Sequence, residues 1–172
     1  MQHETYRIVR QLAQTLEQMK GWIPKVQADA TAKRYDANLL LQCRLMPDMF
    51  PLVRQFGSAC DNAKLLAART TGKTAPVHAD DQKTWAEVQQ RVQEVVTWLG
   101  DLTEADFANA AATKATFPWF PGKYLEADAY VYQYALPNFH FHAAVAYAIL
   151  RHNGVVLGKA DFLGPIPFRD AT

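Results

Sequence analysis

The chain has 172 residues, a length that fits one domain with a sizeable buried core. Hydrophobic residues make up 49% of it and charged residues 20%, which is ordinary for a globular protein. A formal net charge of +1 gives no reason to expect nucleic acid or an anionic membrane as a partner. We therefore predict a single domain over residues 1–172, with no nucleic-acid and no membrane partner.

The N-terminal stretch, MQHETYRIVRQLAQTLEQ, is polar and amphipathic and lacks the apolar core of a signal peptide. The chain has no run of about eighteen apolar residues that would predict a membrane-spanning helix. We therefore expect a cytoplasmic protein. Cys60 lies on a helical apolar stripe and Cys43 near a helix junction, and no disulfide is expected between them in a reducing compartment.

The first helix is predicted to begin at about Glu4, because apolar residues recur from there at intervals of three and four. Its predicted buried stripe is Val9, Leu12, Leu16, Met19 and Ile23. Gly21 and Pro24 are expected to weaken or bend the helix, since proline removes a helical hydrogen bond. The pattern allows the helix to resume over residues 26–32.

The second helix is predicted to open near Pro47 or Pro51 and to close at Gly72. Its wide apolar face contains Met49, Leu52, Val53, Phe56, Ala59, Cys60, Ala63, Leu66 and Ala67. Four polar residues lie off that face or at its edge: Gln55, Ser58, Asp61 and Asn62. Asp61 is either a solvated carboxylate or a group that faces a cleft and pairs with His142 or Arg151.

The third helix is predicted to follow a loop in which His78 is expected to be exposed, and to end at Gly100. Thr84 and Glu87 have the spacing of a capping box, and Asp81 is the alternative cap. Its core stripe is Trp85, Val88, Val92, Val95, Val96 and Leu99.

Residues 108–123 are the least regular segment, and we expect a loop or a short β-hairpin across one end of the bundle. The aromatic residues Phe117, Trp119 and Phe120 stand there among prolines. They either roof a pocket or anchor the loop to the core.

The stretch before the last helix has alternating tyrosines, which suggest a strand: Tyr130, Tyr132 and Tyr134. We favour a helix capped by Asp128 and kinked at Pro137, because the stretch runs directly into the last helix. Beyond Gly154 we expect an extended arm that Asp161, Phe162 and Leu163 tuck against the bundle.

The last helix is predicted to begin at Pro137 and to end at Gly154. Its buried stripe contains Phe139, Ala143, Ala146, Ile149 and Leu150. His142 falls on that stripe, and Asn138 precedes it by four residues on the same face. His142 is either a hydrogen-bonded core imidazole or a metal ligand or acid–base group.

Several segments carry a family likeness: ALPNFHFHAAVAYAILRHNGV from Ala135, DFLG from Asp161, PDMFPLVRQ from Pro47 and ACDNAK from Ala59. Together they resemble a bacterial family of domains of unknown function within the DinB/YfiT-like superfamily. The resemblance covers most of the chain. It implies an all-α fold, an up-down-down-up four-helix bundle with a long irregular crossover before the last helix.

Many members of that superfamily bind a divalent metal through three histidines, one on the second helix and two as HxxxH on the last. Residue by residue, the second histidine of HxxxH matches His142 and the first matches Asn138, while the helix-two histidine falls on or beside Ser58. An amide is a poor ligand for zinc or nickel. No metal is expected unless Asp61 or another carboxylate substitutes, and His142 is the single weak candidate ligand.

No cofactor is expected, and a divalent metal held by one imidazole and several oxygens is the alternative. The sequence has no glycine-rich phosphate loop, GxSxG elbow, CxxC pair or HExxH motif. Our first hypothesis is a bundle with a degenerate metal site that binds a small ligand or a partner helix. A homodimer is a possible assembly. Its candidate pocket residues are Asn138, His142, Ser58, Asp61 and Trp119.

The alternative hypothesis is a metal- or His-dependent transferase or isomerase that acts with a thiol cofactor on small electrophiles, as some members of the superfamily do. In that case His142 and Asp61 are the catalytic candidates. The sequence leaves open whether the protein is an enzyme.

Overall fold

A computed structural model describes residues 1–171. Over that range the chain forms five α-helices: α1 (Gln2–Lys33), α2 (Leu52–Thr71), α3 (Trp85–Gly100), α4 (Leu136–His152) and α5 (Lys159–Leu163). Two antiparallel strands form one hairpin, β1 (Lys114–Thr116) and β2 (Tyr124–Glu126). Short 3₁₀ turns cover Ala37–Gln42, Glu104–Phe107 and Ala110–Ala112, and a π-helical segment covers Ala129–Ala135.

α1 and α3 lie side by side and run in opposite directions. Lys20 Nζ donates to Gln93 Oε1 at 2.7 Å, and Arg10 Nη1 donates to the carbonyl of Gly100 at 3.4 Å. Residue numbers therefore fall along α1 as they rise along α3, which defines an antiparallel pair.

α2 runs parallel to α3 and antiparallel to α4. The Phe56 and Trp85 rings meet edge to face at 5.6 Å, and one turn further along both helices Arg91 reaches Asp61. Between α2 and α4, residue numbers fall along one helix as they rise along the other: Asn62 contacts Asn138, and Gln55 contacts His142. The order is therefore up-down-down-up, and the predicted four-helix bundle is confirmed.

Local sequence signals place the helix ends. Gly72 follows α2 with φ of 74°, the left-handed conformation that glycine adopts without a steric penalty. Thr84 and Glu87 form the predicted capping box: the Thr84 hydroxyl accepts from Glu87 N at 3.3 Å, and the Glu87 carboxylate accepts from Thr84 N at 2.9 Å. The alternative cap, Asp81, is not used.

α1 is continuous through Pro24, so the expected weakening does not break it. Proline costs one backbone hydrogen bond inside a helix. Trp22, Ile23 and Val26 on either side of it are almost fully buried. Their burial stabilises the helix by several kcal/mol at about 1.5–3 kcal/mol for each large apolar side chain, which exceeds the loss at Pro24.

The irregularity before α4 lies upstream of Pro137. The π-helical segment runs into α4 without a break, and Pro137 occupies the first turn of α4. A proline ring clashes with the carbonyl four residues earlier, and the wider π turn accommodates that clash. The predicted helix over this stretch is therefore correct. A π-helical segment stands before Pro137 in place of the predicted kink.

The bundle core is apolar and well filled. Its largest fully buried side chains include Trp22, Phe56, Phe107, Tyr130 and Phe139. Burial raises the pKa of the Cys60 thiol to about 12, so Cys60 behaves as a small apolar residue. No helix within residues 1–171 is long and apolar enough to cross a membrane.

The C-terminal arm packs on α1 as expected, but it is not extended throughout, because Lys159–Leu163 form the short helix α5. Trp22 Nε1 donates to the carbonyl of Asp161 at 3.0 Å, and Lys25 pairs with the Asp161 carboxylate at 2.7 Å. The Phe162 ring stacks on Trp22 with centroids 5.9 Å apart, while Leu163 is 46% exposed. The anchor is therefore formed by the first two residues of the predicted trio.

Candidate functional site

A cavity of about 340 Å³ lies between α2 and the helical stretch formed by the π segment and α4. We call it the α2–α4 cavity. Its lining residues are Arg54, Ser58, Asp61, Asn62, Leu65, Arg69, Phe117, Trp119, Tyr130, Tyr134, Asn138 and His142. All five pocket candidates from the sequence, Ser58, Asp61, Trp119, Asn138 and His142, line this one cavity, and their role in binding stays a prediction.

Three side-chain pairs cross the seam beside the cavity: Gln55–His142, Asn62–Asn138 and Arg69–Tyr130. We call these pairs the polar ladder. Their α2 members are spaced seven residues apart, which is about two helical turns and about 10 Å along the axis. The α2 face toward α4 therefore presents a polar group at each step instead of an unbroken apolar stripe.

His142 is held by Gln55 in a defined orientation. Gln55 Nε2 donates to the carbonyl of Phe50 at 3.0 Å, so Gln55 Oε1 faces His142 Nδ1 at 2.7 Å. Because Oε1 only accepts, Nδ1 carries the proton and Nε2 keeps its lone pair. Within the described part of the chain no side chain or carbonyl bonds Nε2. Nε2 therefore keeps a free acceptor position on a residue that lines the cavity.

The His142 ring is buried and neutral. It is 9% exposed, and the Phe50 ring stacks over it with centroids 6.5 Å apart. Burial lowers the pKa of His142, and the positive charge of Arg54 lowers it further. A neutral imidazole with a free Nε2 is an acceptor or a weak base at pH 7.

Gln55 is buried, although the sequence pattern predicted a position off the buried face or at its edge. It is 1% exposed and faces α4. The signal was present, because Gln55 follows Leu52 by three residues and precedes Ala59 by four, the spacing of the buried stripe. A glutamine on such a stripe needs a buried partner, and His142 is that partner.

The middle of the ladder is made of amides. Asn138 Nδ2 donates to Asn62 Oδ1 at 2.9 Å, and Asn62 Nδ2 donates to the carbonyl of Ser58 at 2.8 Å. Asn138 thus stands where the superfamily has a histidine, and its amide is fixed by Asn62. The hydroxyl of Ser58 lines the cavity on the same side.

Asp61 pairs with neither His142 nor Arg151, so the pairing, one of the two alternatives from the sequence, is wrong. Its Oδ1 lies 2.8 Å from Arg91 Nη2 and 2.9 Å from Lys64 Nζ. Arg91 comes from α3, and its contact depends on the packing of two helices, which the pattern of α2 alone does not reveal. A carboxylate held by two cations is a poor candidate for a base acting through His142.

Arg91 is the centre of a buried ion network behind the cavity. Its side chain is 3% exposed, and it also pairs with Asp80 at 2.9 Å. Asp80 in turn contacts Arg54 at the cavity edge. The guanidinium fits because residue 57 is glycine, since a Cβ there would lie 3.1 Å from Arg91 Nη1.

His78 belongs to the same network and is not exposed, contrary to the prediction. Its side chain is 7% exposed, with Nε2 at 3.0 Å from Glu94 and Nδ1 at 2.9 Å from Lys64 Nζ. Burial and the neighbouring Lys64 lower the pKa of His78, although Glu94 acts in the opposite direction. The loop before α3 is thereby clamped onto α2.

Aromatic rings form the far end of the cavity. Arg69 Nη1 donates to the Tyr130 hydroxyl at 3.0 Å, and the guanidinium lies over the rings of Phe117 and Tyr130 at 4.8 and 5.2 Å. The Phe117 ring also contacts Tyr134 at 4.7 Å and Trp119 at 5.3 Å. Trp119 is 59% exposed, which places it at the cavity rim.

The residues at the three ancestral ligand positions do not fit a transition metal. Ser58, Asn138 and His142 supply one imidazole, one amide and one hydroxyl. Across residues 1–171 no group of three His, Cys, Asp or Glu side chains is arranged to hold a metal ion. Asp61, the expected substitute, is already engaged by two cations. This donor set differs from that of a zinc or nickel centre.

Sequence analysis missed several residues of the cavity: Arg54, Asn62, Leu65, Arg69, Tyr130 and Tyr134. Arg69 lies in the last turn of α2, where a basic residue is expected for the helix dipole alone. Tyr130 was one of three alternating tyrosines, and the π segment places it inside at 1% exposure. Neither signal distinguishes a cavity residue from an ordinary one.

A larger depression of about 610 Å³ lies between α1 and α3. Its lining is mostly long polar side chains: Arg7, Arg10, Gln11, Gln14 and Glu17, with Ala13, Val96 and Gly100 beneath. Such side chains are solvated on a helix surface. The α2–α4 cavity is the better candidate site, because His142 and Tyr130 in its lining are buried and several of its polar side chains are fixed by hydrogen bonds between the helices.

Known proteins agree with this architecture. The family model described as Domain of unknown function (DUF1993) matches residues 6–163. The crystal structure of a DinB family member protein from Shewanella denitrificans is 43% identical, covers 99% of this chain and 97% of its own, and superposes with a TM-score of 0.94. No curated protein matches the chain. The chain therefore belongs to the DUF1993 family, a domain of unknown function with a DinB-like helical bundle.

Proposed function

We propose that this protein binds a small organic molecule in the α2–α4 cavity and does so without a transition metal. The observation that carries the proposal is the orientation of His142. Its ring is fixed through Nδ1 by Gln55 and offers Nε2 to a cavity walled on one side by amides and at one end by aromatic rings. Pockets with a few fixed polar groups among apolar walls are typical of small-molecule sites.

The size of the cavity favours a small molecule over a partner helix. Its volume of about 340 Å³ is at the lower end of the range for ligand pockets. A helix with its side chains is about 10–12 Å across, too wide for this space. The partner-helix alternative from the sequence is therefore the weaker one.

The ladder also supports a binding role on energetic grounds. Burying an amide or an imidazole costs free energy even when it is hydrogen-bonded, because apolar residues would stabilise the same seam at least as well. Polar groups at this seam are explained if those donors and acceptors that lack a protein partner form hydrogen bonds with a ligand. His142 Nε2 and the second amide N–H of Asn138 are such groups.

A variant that fills the cavity tests the proposal. Ser58→Trp should abolish binding of small aromatic molecules, measured by ligand-observed NMR with phenylacetate, phenylacetamide and 2-phenylethylamine. The matched control is Gln89→Trp, on the exposed face of α3, which should leave binding unchanged. Equal binding by both variants, or no binding to the parent protein by any probe, would overturn the proposal.

Elemental analysis tests the statement about metals. Protein purified without an affinity tag should contain transition metal well below one atom per chain. One zinc or nickel per chain, lost on His142→Ala, would contradict it. The control is His152→Ala, which removes an exposed imidazole from the same helix.

The second candidate function is His-dependent transfer or isomerisation with a thiol cofactor. The observation in its favour is the neutral His142 with a free Nε2, which can accept the proton of a thiol. Asp61 has no part in it, since it is turned to Arg91 and Lys64. Turnover of a thiol with small electrophiles that survives His142→Ala unchanged would end this candidate.

A further inference from the structure

We infer that the ligand of the α2–α4 cavity is an aromatic monocarboxylate whose carboxylate binds Arg69. The inference rests on the proposed function, because it concerns the chemical class of molecule that the same cavity takes. It comes from the distribution of charge around the cavity and from the shape of its Arg69 end.

The cations near the cavity have carboxylate partners, with one exception. Asp80 contacts both Arg54 and Arg91, while Asp61 pairs with Arg91 and with the buried lysine of α2. Arg69 is the exception: within residues 1–171 no carboxylate lies within ion-pair distance of it. Among the described residues, Arg69 is therefore the cation of the cavity lining that lacks a carboxylate partner, which favours an occupant with a negative charge.

Arg69 is held by neutral groups that leave its charge available. Nη1 donates to the Tyr130 hydroxyl at 3.0 Å, and Nη2 donates to the carbonyl of Thr116 at 3.5 Å. The rings of Phe117 and Tyr130 flank the guanidinium. A guanidinium has five N–H donors in a plane, so donors remain for a planar carboxylate.

The aromatic side chains next to Arg69 indicate what the rest of the ligand is, apart from its carboxylate. Phe117, Tyr134 and Trp119 form a connected set of rings, with Phe117 at 6% exposure and Trp119 open at the rim. An aromatic ring attached to the carboxylate would lie against these faces. The next step of the ladder, at Asn62, is about 10 Å along α2, close to the length of such a molecule.

The experiment compares three probes of similar shape and different charge: phenylacetate, phenylacetamide and 2-phenylethylammonium. Titration calorimetry on the full chain at constant ionic strength and pH 7.5 should show phenylacetate binding about tenfold or more tightly than the amide, the scale of charge-assisted hydrogen bonds. The ammonium should bind most weakly. Arg69→Gln should remove the preference for phenylacetate, while the control Arg151→Gln, with the same loss of charge on α4, should keep it.

A folding defect in Arg69→Gln is covered by a second variant. Arg69→Lys keeps the charge and loses the planar fork, so it should bind phenylacetate with an affinity between those of the parent protein and Arg69→Gln. Retention of the full preference in both variants would overturn the inference.

The outcomes separate this inference from the proposed function. Equal affinities for phenylacetate and phenylacetamide in the parent protein, both abolished by Ser58→Trp, would refute the carboxylate and leave the cavity as a binding site. Absence of binding by all three probes, or binding that ignores Ser58→Trp, would refute both.

Discussion

The two helix pairs of the bundle are built differently. In the α1–α3 pair the buried core of the contact is formed by apolar side chains, and polar contacts such as Lys20–Gln93 lie at the exposed edge. In the α2–α4 pair, polar side chains face each other inside the seam, as Gln55 and His142 do. Apolar packing stabilises a bundle more reliably than buried polar pairs. We therefore expect the α1–α3 pair to contribute more to stability and, under the proposed function, the α2–α4 pair to bind the ligand.

The largest effect on stability is expected in the α1–α3 pair. Leu16→Ala removes a fully buried side chain and should lower the free energy of unfolding by about 2–5 kcal/mol. Urea denaturation measures the loss, and phenylacetate titration at low temperature should show an unchanged probe preference. A loss below about 1 kcal/mol would show that this helix pair is not the stabilising half.

Breaking the polar ladder should destabilise the protein less than Leu16→Ala does, but more than the loss of an exposed contact does. Gln55→Leu leaves the Nδ1–H of His142 without its acceptor and should lower the free energy of unfolding by about 1–3 kcal/mol. The control is Gln93→Leu, which removes the exposed contact with Lys20 and should change stability by about 0.5 kcal/mol or less. Equal effects in urea denaturation would remove the distinction between the two helix pairs.

The pH dependence of stability sharpens the same comparison. Burial lowers the pKa of His142 in the folded protein, whereas the unfolded chain titrates near the ordinary value of about 6.5. As pH falls through that value the unfolded chain binds a proton that the folded chain does not, so stability decreases as pH falls.

His78 and His140 add to this trend, because burial lowers their pKa values as well. The measurement is the free energy of unfolding at pH 7.5 and 5.5. His142→Gln should show a smaller decrease than the parent protein, and the exposed control His152→Gln the full decrease. A parent protein that is more stable at pH 5.5 would contradict the assignment of neutral imidazoles.

The smallest effect on stability is expected at the rim. Trp119 is 59% exposed, so Trp119→Ala should change the free energy of unfolding by about 0.5 kcal/mol or less. Phenylacetate affinity should fall about threefold to tenfold, the worth of one aromatic contact. Phe120→Ala, an equally exposed aromatic outside the cavity lining, is the control and should leave affinity unchanged.

The fold was predictable because its signals are local. The capping residue Thr84, the glycine stop at Gly72 and the apolar stripes each lie within a few residues of what they specify. The π segment was not predictable, since it depends on how Tyr130 and its neighbours pack against α2. Alternating tyrosines are compatible with a strand when read in isolation.

The site was predictable only in part for the same reason. The positions Ser58, Asn138 and His142 followed from the resemblance, and they line one cavity. The partners of these residues depend on the register between helices. Gln55 reaches His142 across 87 residues of sequence, and no spacing within either helix encodes that contact.

The most direct test of the account is a site-resolved titration. In ¹⁵N-labelled protein, phenylacetate should shift the side-chain amide signals of Gln55, Asn62 and Asn138 and the Nε signal of Arg69, all in the α2–α4 seam. The corresponding signals of the α1–α3 groove, such as those of Gln11 and Arg10, should stay in place. Shifts confined to the α1–α3 groove, or none at saturating probe, would contradict the claim that the polar seam is the binding site.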